Sequence, residues 1–280
     1  MASVFYKKVE GNEGDKCQYP TRLDTYGCGC QHDCKYCYAK SLLSFRGFWD
    51  AENPSCADIE AVRKLIKTLP KDEVVRLGGM TDCFQPIEAE KHITYETIKA
   101  LNEAGIEYLI VTKSALVADD EYIKILDKDL AHIQITVTTL NDKIASVYEK
   151  ASPPSERIKA ILKLQDAGFD IAIRLSPFIP EFMETDKLVG LGIKKAIVEF
   201  LRVNAWVKKW FKIDYRKYTH YSGGYHHLPL AYKLRYIELI KGFDEVSVCE
   251  DCDTDYLYWK QYFNPNPEDC CNLRRNKNGN

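Results

Sequence analysis

The sequence predicts an α/β fold, a β/α barrel or part-barrel. Three observations carry this. Short β-type runs alternate with helical runs, and such alternation implies βαβ units with parallel pairing. The helical runs stop at glycines. At 280 residues, 45% apolar and 29% charged, the chain sits near the size at which one hydrophobic core stops growing, so one large domain is expected. In order, Val74 to Gly79 (VVRLGG) is a short apolar run closing on a glycine pair. Ile93 to Ala104 has helical spacing and stops at Gly105. Tyr108 to Ser114 is the next strand, and Asp119 to Leu126 a helix. His132 to Thr139 is strongly β-branched. Ser155 to Ala167 is a helix with a Pro-Pro-Ser start and a Gly168 stop. Asp170 to Pro177, Lys194 to Val203 and Glu245 to Cys249 are further strands. In such folds chemistry gathers where the βα loops converge, at the C-terminal strand ends.

Eleven cysteines are too few for a disulfide scaffold, and an odd number cannot all pair within the chain. The N-terminus is polar and lacks the apolar core of a signal peptide, and no apolar run approaches the ~20 residues needed to cross a bilayer. A soluble, cytoplasmic protein with no membrane partner is expected. In a reducing compartment, clustered cysteines read as metal ligands or reactive thiols. A net charge of −2 excludes a uniformly basic nucleic-acid coat but not a local basic groove.

The segment GCQHDCKYCYAK holds Cys30, Cys34 and Cys37 in a Cys-x3-Cys-x2-Cys spacing. Three thiolates in one turn-rich loop can converge on an iron–sulfur cube, leaving one iron open to a small molecule. The alternative is a closed zinc site, with Cys28 or His32 as fourth ligand.

This triplet, opening a β/α chain, resembles the radical S-adenosylmethionine (SAM) superfamily, and more closely its spore photolyase-like branch. GGMTDCFQPIE (Gly78 to Glu88), IVTKS (Ile110 to Ser114), Ile135 to Ile161 and AIRLSPFIP (Ala172 to Pro180) follow in that family's order. The resemblance spans Thr21 to Pro180 and implies a partial TIM barrel: a (β/α)6-type radical SAM core over residues 21–203, an N-terminal arm over 1–20 and a small C-terminal extension over 204–280. It implies a 4Fe-4S cluster on Cys30, Cys34 and Cys37, SAM chelated to the fourth iron, and an electron donor of flavodoxin or ferredoxin type. The reduced cluster then cleaves SAM to a 5′-deoxyadenosyl radical, which takes hydrogen from an unactivated C–H bond.

The family's SAM contacts map onto Gly78, Gly79, Met80 and Thr81 at a strand end, where a missing Cβ lets backbone approach closely. They also map onto Lys113 near the SAM carboxylate and Thr136 in the SAM pocket. Tyr36 is a candidate to pack on adenine. Tyr38 matches a tyrosine near the hydrogen-transfer path. Arg174, inside an apolar strand, needs either an anion of SAM or substrate, or a structural carboxylate. One departure matters. Where spore photolyase has its hydrogen-returning cysteine, this chain has Gly79, and Cys83 four residues later is the candidate thiol.

Cys249-x2-Cys252 with Cys270-Cys271 suggests a second site: an auxiliary iron–sulfur cluster, a zinc, or reactive thiols, against plain buried cysteines. Cys17 and Cys56 stand alone and are expected to be inert. The basic, aromatic stretch Trp206 to Tyr225, with six bases and one acid between Arg202 and Lys217, suits a nucleic acid or nucleotide substrate, or simply a solvated helix face plus core aromatics. Gly223-Gly224 beside His226 and His227 suggests a loop able to close over a site. The expected reaction is on a nucleobase, thymine-derived and in DNA, as lesion repair or rearrangement of a modified base (lyase or isomerase type). The alternatives are a radical SAM enzyme on a small metabolite or peptide, and a zinc-stabilised nucleic-acid binder.

Overall fold

The computed structural model describes residues 3–188, 190–250 and 252–275, except for the side chains of residues 12 and 13. Eight strands form one sheet in chain order: β1 Phe5–Lys8, β2 Thr21–Asp24, β3 Val75–Leu77, β4 Tyr108–Thr112, β5 Ala131–Thr136, β6 Asp170–Phe178, β7 Lys195–Phe200 and β8 Glu245–Val248. From β2 to β8 every pairing is parallel, while β1 runs antiparallel on β2. Among the described residues β8 pairs only with β7, so the sheet is an open part-barrel. Its outer strands β1 and β8 come from the stretches read from sequence as an arm and an extension.

Local rules explain the elements. The helix Ile93–Ala104 ends on Gly105 at φ +62, the left-handed cap glycine provides. The helix Pro154–Asp166 starts on proline, whose missing N–H has no partner to lose there. Asp58 caps the helix Ile59–Ile66 by accepting from Ala61 N at 3.0 Å, and this helix buries Val62 and Ile66. The Gly223-Gly224 pair is the turn of a hairpin, His220–Ser222 with Tyr225–His227, with both glycines at positive φ. The expected closing loop is therefore a paired structure, pinned further by the Val203–His226 bridge.

Side chains two apart on a strand share a face. Arg22 and Arg76 are cross-strand partners, as are Thr136 and Arg174, and all four line one cavity in the barrel. Under that cavity the N-terminal ends of the strands carry an ion network. His132 sits 2.7 Å from Asp170 and 3.0 Å from Glu107, Lys195 reaches Asp170 at 2.7 Å, and Arg275 pairs with Glu107 at 3.0 Å.

This network gives a pH signature. Burial opposes the His132 imidazolium, but its bonds to Asp170 and Glu107 outweigh it and raise His132 above 6.5. Burial also opposes the Asp170 carboxylate, yet His132 and Lys195 hold it below 3.8. The histidine's contribution is complete below pH 6.5 and is lost as pH rises through the raised value. The aspartate's is complete above 3.8 and is lost on acidification. Urea unfolding is expected to show stability declining above pH 6.5, and His132→Gln to flatten that decline. An unchanged slope in the variant would assign the decline elsewhere.

Candidate active site

The site is built on the loop that follows β2. Two tight turns shape it, Asp33 N donating to Cys30 O at 3.1 Å and Cys37 N to Cys34 O at 3.2 Å, with Asp33 at φ +43. Cys37 then caps the helix Tyr38–Phe45, its sulfur accepting from Lys40 N at 3.4 Å. Cys30, Cys34 and Cys37 all line the barrel cavity. Burial pushes the bare Cys30 thiol up to about 12 and Cys34 well above its ordinary value. Such thiols become thiolates by binding metal, which releases their protons. Among the described residues no three His, Cys, Asp or Glu side chains are set around a single metal ion. Three thiols on one cavity are the kind of ligand set that a cysteine-ligated iron–sulfur cluster uses, and a closed zinc would need a fourth. Cys28 lies outside the cavity lining, and His32 turns its Nε2 to Asp82 at 3.2 Å.

Opposite the triplet, the end of β3 turns through Gly78 to Thr81. The sequence did not single out what holds this turn. The Asp24 carboxylate accepts from Gly79 N at 2.7 Å, from Met80 N at 3.1 Å and from Thr81 N at 3.5 Å. Burial pushes the Asp24 carboxyl up to about 6 against those three donors. The pattern of Thr-Arg-Leu-Asp, with two charges in four residues, reads as polar and gives no signal for it. The Thr81 hydroxyl donates to Tyr26 O, so it serves the turn. Asp82 ties the turn to β4, accepting from the Thr112 hydroxyl and from Lys113 N, both at 2.7 Å.

Gly78 has φ +84, and a Cβ there would stand 2.6 Å from Val111 O. Gly78→Ala is expected to cost about 2–4 kcal/mol, left-handed strain plus a backbone clash. Gly105→Ala, at φ +62 in open space, is expected to cost about 1–2 kcal/mol. Equal losses in urea denaturation would show that the clash with Val111 carries no weight.

The structure places the other expected residues unequally. Tyr36 lines the cavity, but its ring packs on Tyr148 and Phe211 at 5.7 and 5.8 Å, and its hydroxyl donates to buried Glu149. Lys113 lines the cavity with its ammonium 5.7 Å from the Tyr36 ring. Tyr38 lines it too, donating to Gly79 O at 3.3 Å beneath the Arg202 guanidinium at 4.4 Å. Arg174 donates to Glu199 at 2.6 Å and Gln134 at 2.7 Å, the structural-carboxylate alternative. Cys83 does not join the cavity lining. It is fully buried in the core, and its carbonyl accepts from the Thr94 hydroxyl at 2.5 Å, so the structure does not bring this thiol together with the loop triplet.

Cys249, Cys270 and Cys271 line the same cavity as the triplet. Cys252 does not. It starts the helix Asp253–Tyr262, with its sulfur 3.1 Å from His220 Nε2. Cys17, expected to be inert, lines the cavity instead. In the basic, aromatic stretch Phe211 and Tyr218 are core residues, whereas Lys208, Lys209 and Lys212 are exposed. No described helix is long and apolar enough to cross a membrane.

Known proteins resemble this chain in sequence or in fold. The chain is 27% identical over 172 residues to the uncharacterized protein ORF301 of Acidianus two-tailed virus, covering 55% of each. It is 28% identical over 170 residues to the uncharacterized protein MJ0683 of Methanocaldococcus jannaschii, covering 58% of this chain and 62% of that one. It thus spans little more than half the length of these relatives. A solved structure of spore photoproduct lyase complexed with dinucleoside spore photoproduct superposes with a TM-score of 0.57 at 15% identity, covering 86% of this chain and 79% of that one. At that identity the likeness concerns the fold. The model of the radical SAM superfamily matches residues 25–189, a stretch holding the cysteine triplet, the glycine turn and β3 to β6. The family implies a 4Fe-4S cluster and SAM, and the thiol set and glycine-lined cavity accommodate both: the chain belongs to the radical SAM superfamily of enzymes.

Proposed function

We propose that the chain cleaves SAM reductively and removes hydrogen from a nucleobase-type substrate, thymine-derived and in DNA, in lesion repair or rearrangement of a modified base. The observation that carries this reading is one cavity lined at once by Cys30, Cys34, Cys37 and the Gly78–Thr81 turn. When bound, the cluster and SAM supply an electron and a carbon-centred radical. The chain's own residues do the rest. The three cysteines hold three irons. The Gly78–Thr81 turn would offer its backbone to the amino group of SAM, the missing Cβ atoms of Gly78 and Gly79 leaving room for Val111 O and the Arg22 side chain, and Asp24 keeps the turn in place. Lys113 offers its ammonium to the SAM carboxylate, and Thr136 closes the pocket wall beside it. Arg174, neutralised by Glu199, positions the wall and does not bind the anion. Tyr38, steadied by Gly79 O and Arg202, stands next to Cys37 on the hydrogen-transfer side.

A nucleic-acid substrate is supported by Arg202, which lies over the rings of Tyr38 and Tyr225 at 4.4 and 5.8 Å, and by the exposed bases Lys208, Lys209 and Lys212 nearby. Rings interleaved with cations suit stacked bases and tracked phosphates. The solved structure with the shared fold is complexed with a dinucleoside spore photoproduct. The electron comes from an external donor of flavodoxin or ferredoxin type. The test is anaerobic reconstitution with iron and sulfide, then SAM, dithionite and thymine-deuterated DNA. Deuterium in 5′-deoxyadenosine supports the reading. Deuterium arriving only from a small metabolite or peptide overturns the substrate, and absence of 5′-deoxyadenosine overturns the reaction.

A further inference from the structure

Four cysteines distant in sequence meet at one end of the cavity. Cys17 follows the helix Gly11–Lys16, Cys249 immediately follows β8, and Cys270 and Cys271 come from the segment after the helix Asp253–Tyr262. All four line the cavity. Cys17, Cys270 and Cys271 pack in one apolar cluster with Tyr19, Val74 and Leu109.

The scaffold around these thiols is rigid. Asp269 accepts from the Tyr19 hydroxyl at 2.5 Å and from the backbone N of Cys271 and of Leu273 at 2.9 Å each. That one carboxylate ties the Cys17 arm to the Cys270–Cys271 segment. Cys249 N donates to Val198 O at 2.8 Å, which fixes it to β7.

The surroundings are those of an anion. Ordinary buried cysteines need only apolar neighbours. Here two buried or half-buried guanidinium groups, Arg76 and Arg174, line the same cavity as the four thiols. Arg76 Nε, on the cavity lining, is a buried N–H group with no hydrogen-bond partner among the described residues. Buried donors left without partners are uncommon, and each calls for an acceptor. Four thiolates with bridging sulfides supply acceptors and negative charge together, and donors to such sulfurs tune iron–sulfur centres.

We infer that Cys17, Cys249, Cys270 and Cys271 hold a second iron–sulfur cluster, deeper in the barrel than the loop triplet and facing the same cavity. A cluster fits better than one zinc ion. Each iron of a cysteine-ligated cluster takes one or two protein thiolates, whereas zinc gathers four around one point. The sequence pattern alone paired Cys249 with Cys252, but the helix start turns Cys252 toward His220, and the N-terminal arm brings Cys17 in its place.

The site is independent of SAM cleavage and is tested without it. The Cys30→Ala, Cys34→Ala, Cys37→Ala triple variant is reconstituted anaerobically with iron and sulfide, and bound metals are measured. Retention of about two to four irons per chain with matching sulfide, and a cysteine-ligated iron–sulfur absorption, is the expected result. The iron count separates a two-iron from a four-iron cluster. Adding Cys249→Ser and Cys271→Ser to that background is expected to remove the remaining iron, and adding Cys252→Ala to leave it. The positive result rests on the triple variant alone, so a misfolded five-fold variant does not hide it. Iron near zero in the triple variant when the wild type loads normally, or one zinc per chain in place of iron, overturns the inference.

Discussion

Alanine at Cys30, Cys34 and Cys37 together reduces 5′-deoxyadenosine formation to the level of SAM and dithionite without protein, while the chain stays folded. The two halves of this expectation have separate physical grounds. Loss of chemistry follows because no other thiols stand on the loop facing the Gly78–Thr81 turn: Cys28 is outside the cavity lining, and Cys83 is in the core. The deeper thiols Cys17, Cys249, Cys270 and Cys271 approach from other elements and leave no open site beside the glycine turn. Retention of fold follows because Cys30 and Cys37 are only partly buried, and the loop's turns are closed by backbone bonds and by Lys35 N donating to Tyr148 O at 2.8 Å. Removing a single sulfur at each position, buried Cys34 included, costs about 1 kcal/mol apiece, so the triple variant is expected to unfold roughly 5–10 °C lower and still be folded. Mass-spectrometric quantification of 5′-deoxyadenosine checks the first half and thermal unfolding the second. Undiminished cleavage in a folded variant would place the cluster elsewhere. Cleavage lost together with the fold would leave the three cysteines with a structural role only.

The contrast between the triplet and the deeper thiols shows what a sequence can reveal here. Ligands from one short loop are readable because spacing alone limits where three side chains can go. Ligands from separate elements are not, since Cys17 looks solitary until the arm is docked by Tyr19 on Asp269. The strands follow the same division. Ala131–Thr136 and Asp170–Phe178 are buried on both faces and read as continuous β-type runs. Thr21–Asp24 is equally buried, but it carries Arg22 and Asp24 for the cavity and the glycine turn, so its pattern resembles a polar loop. The residues that build the site are thus the ones that blur the strand signal around it. A resemblance in ordered blocks recovered Gly78 to Thr81, though not the carboxylate beneath them.

Arg157→Ala is expected to be the most destabilising single change in the molecule. Arg157 is fully buried, and its guanidinium is shared among three acceptors: Thr136 O at 2.9 Å, Ser152 O at 2.5 Å and the carboxylate of Glu149. Glu149 in turn receives the Tyr36 hydroxyl. One arginine therefore fastens the helix Pro154–Asp166 to the end of β5 and, through Glu149, to the tyrosine beside Cys37. Truncating it leaves a carboxylate and two carbonyls buried without their donor. Breaking a buried pair by removing one partner costs about 3–5 kcal/mol, roughly 10 °C in the unfolding midpoint of a chain this long. Replacing both partners by apolar residues of similar volume, Arg157→Met with Glu149→Leu, removes the lone charge and is expected to recover a large part of that loss. It does not restore an acceptor for the Tyr36 hydroxyl. If the ring's placement matters to the triplet loop, the double variant is nearly as stable as the wild type yet binds SAM more weakly. Calorimetry and SAM titration together decide it: weak binding that recovers in step with stability would mean that the pair serves the fold alone.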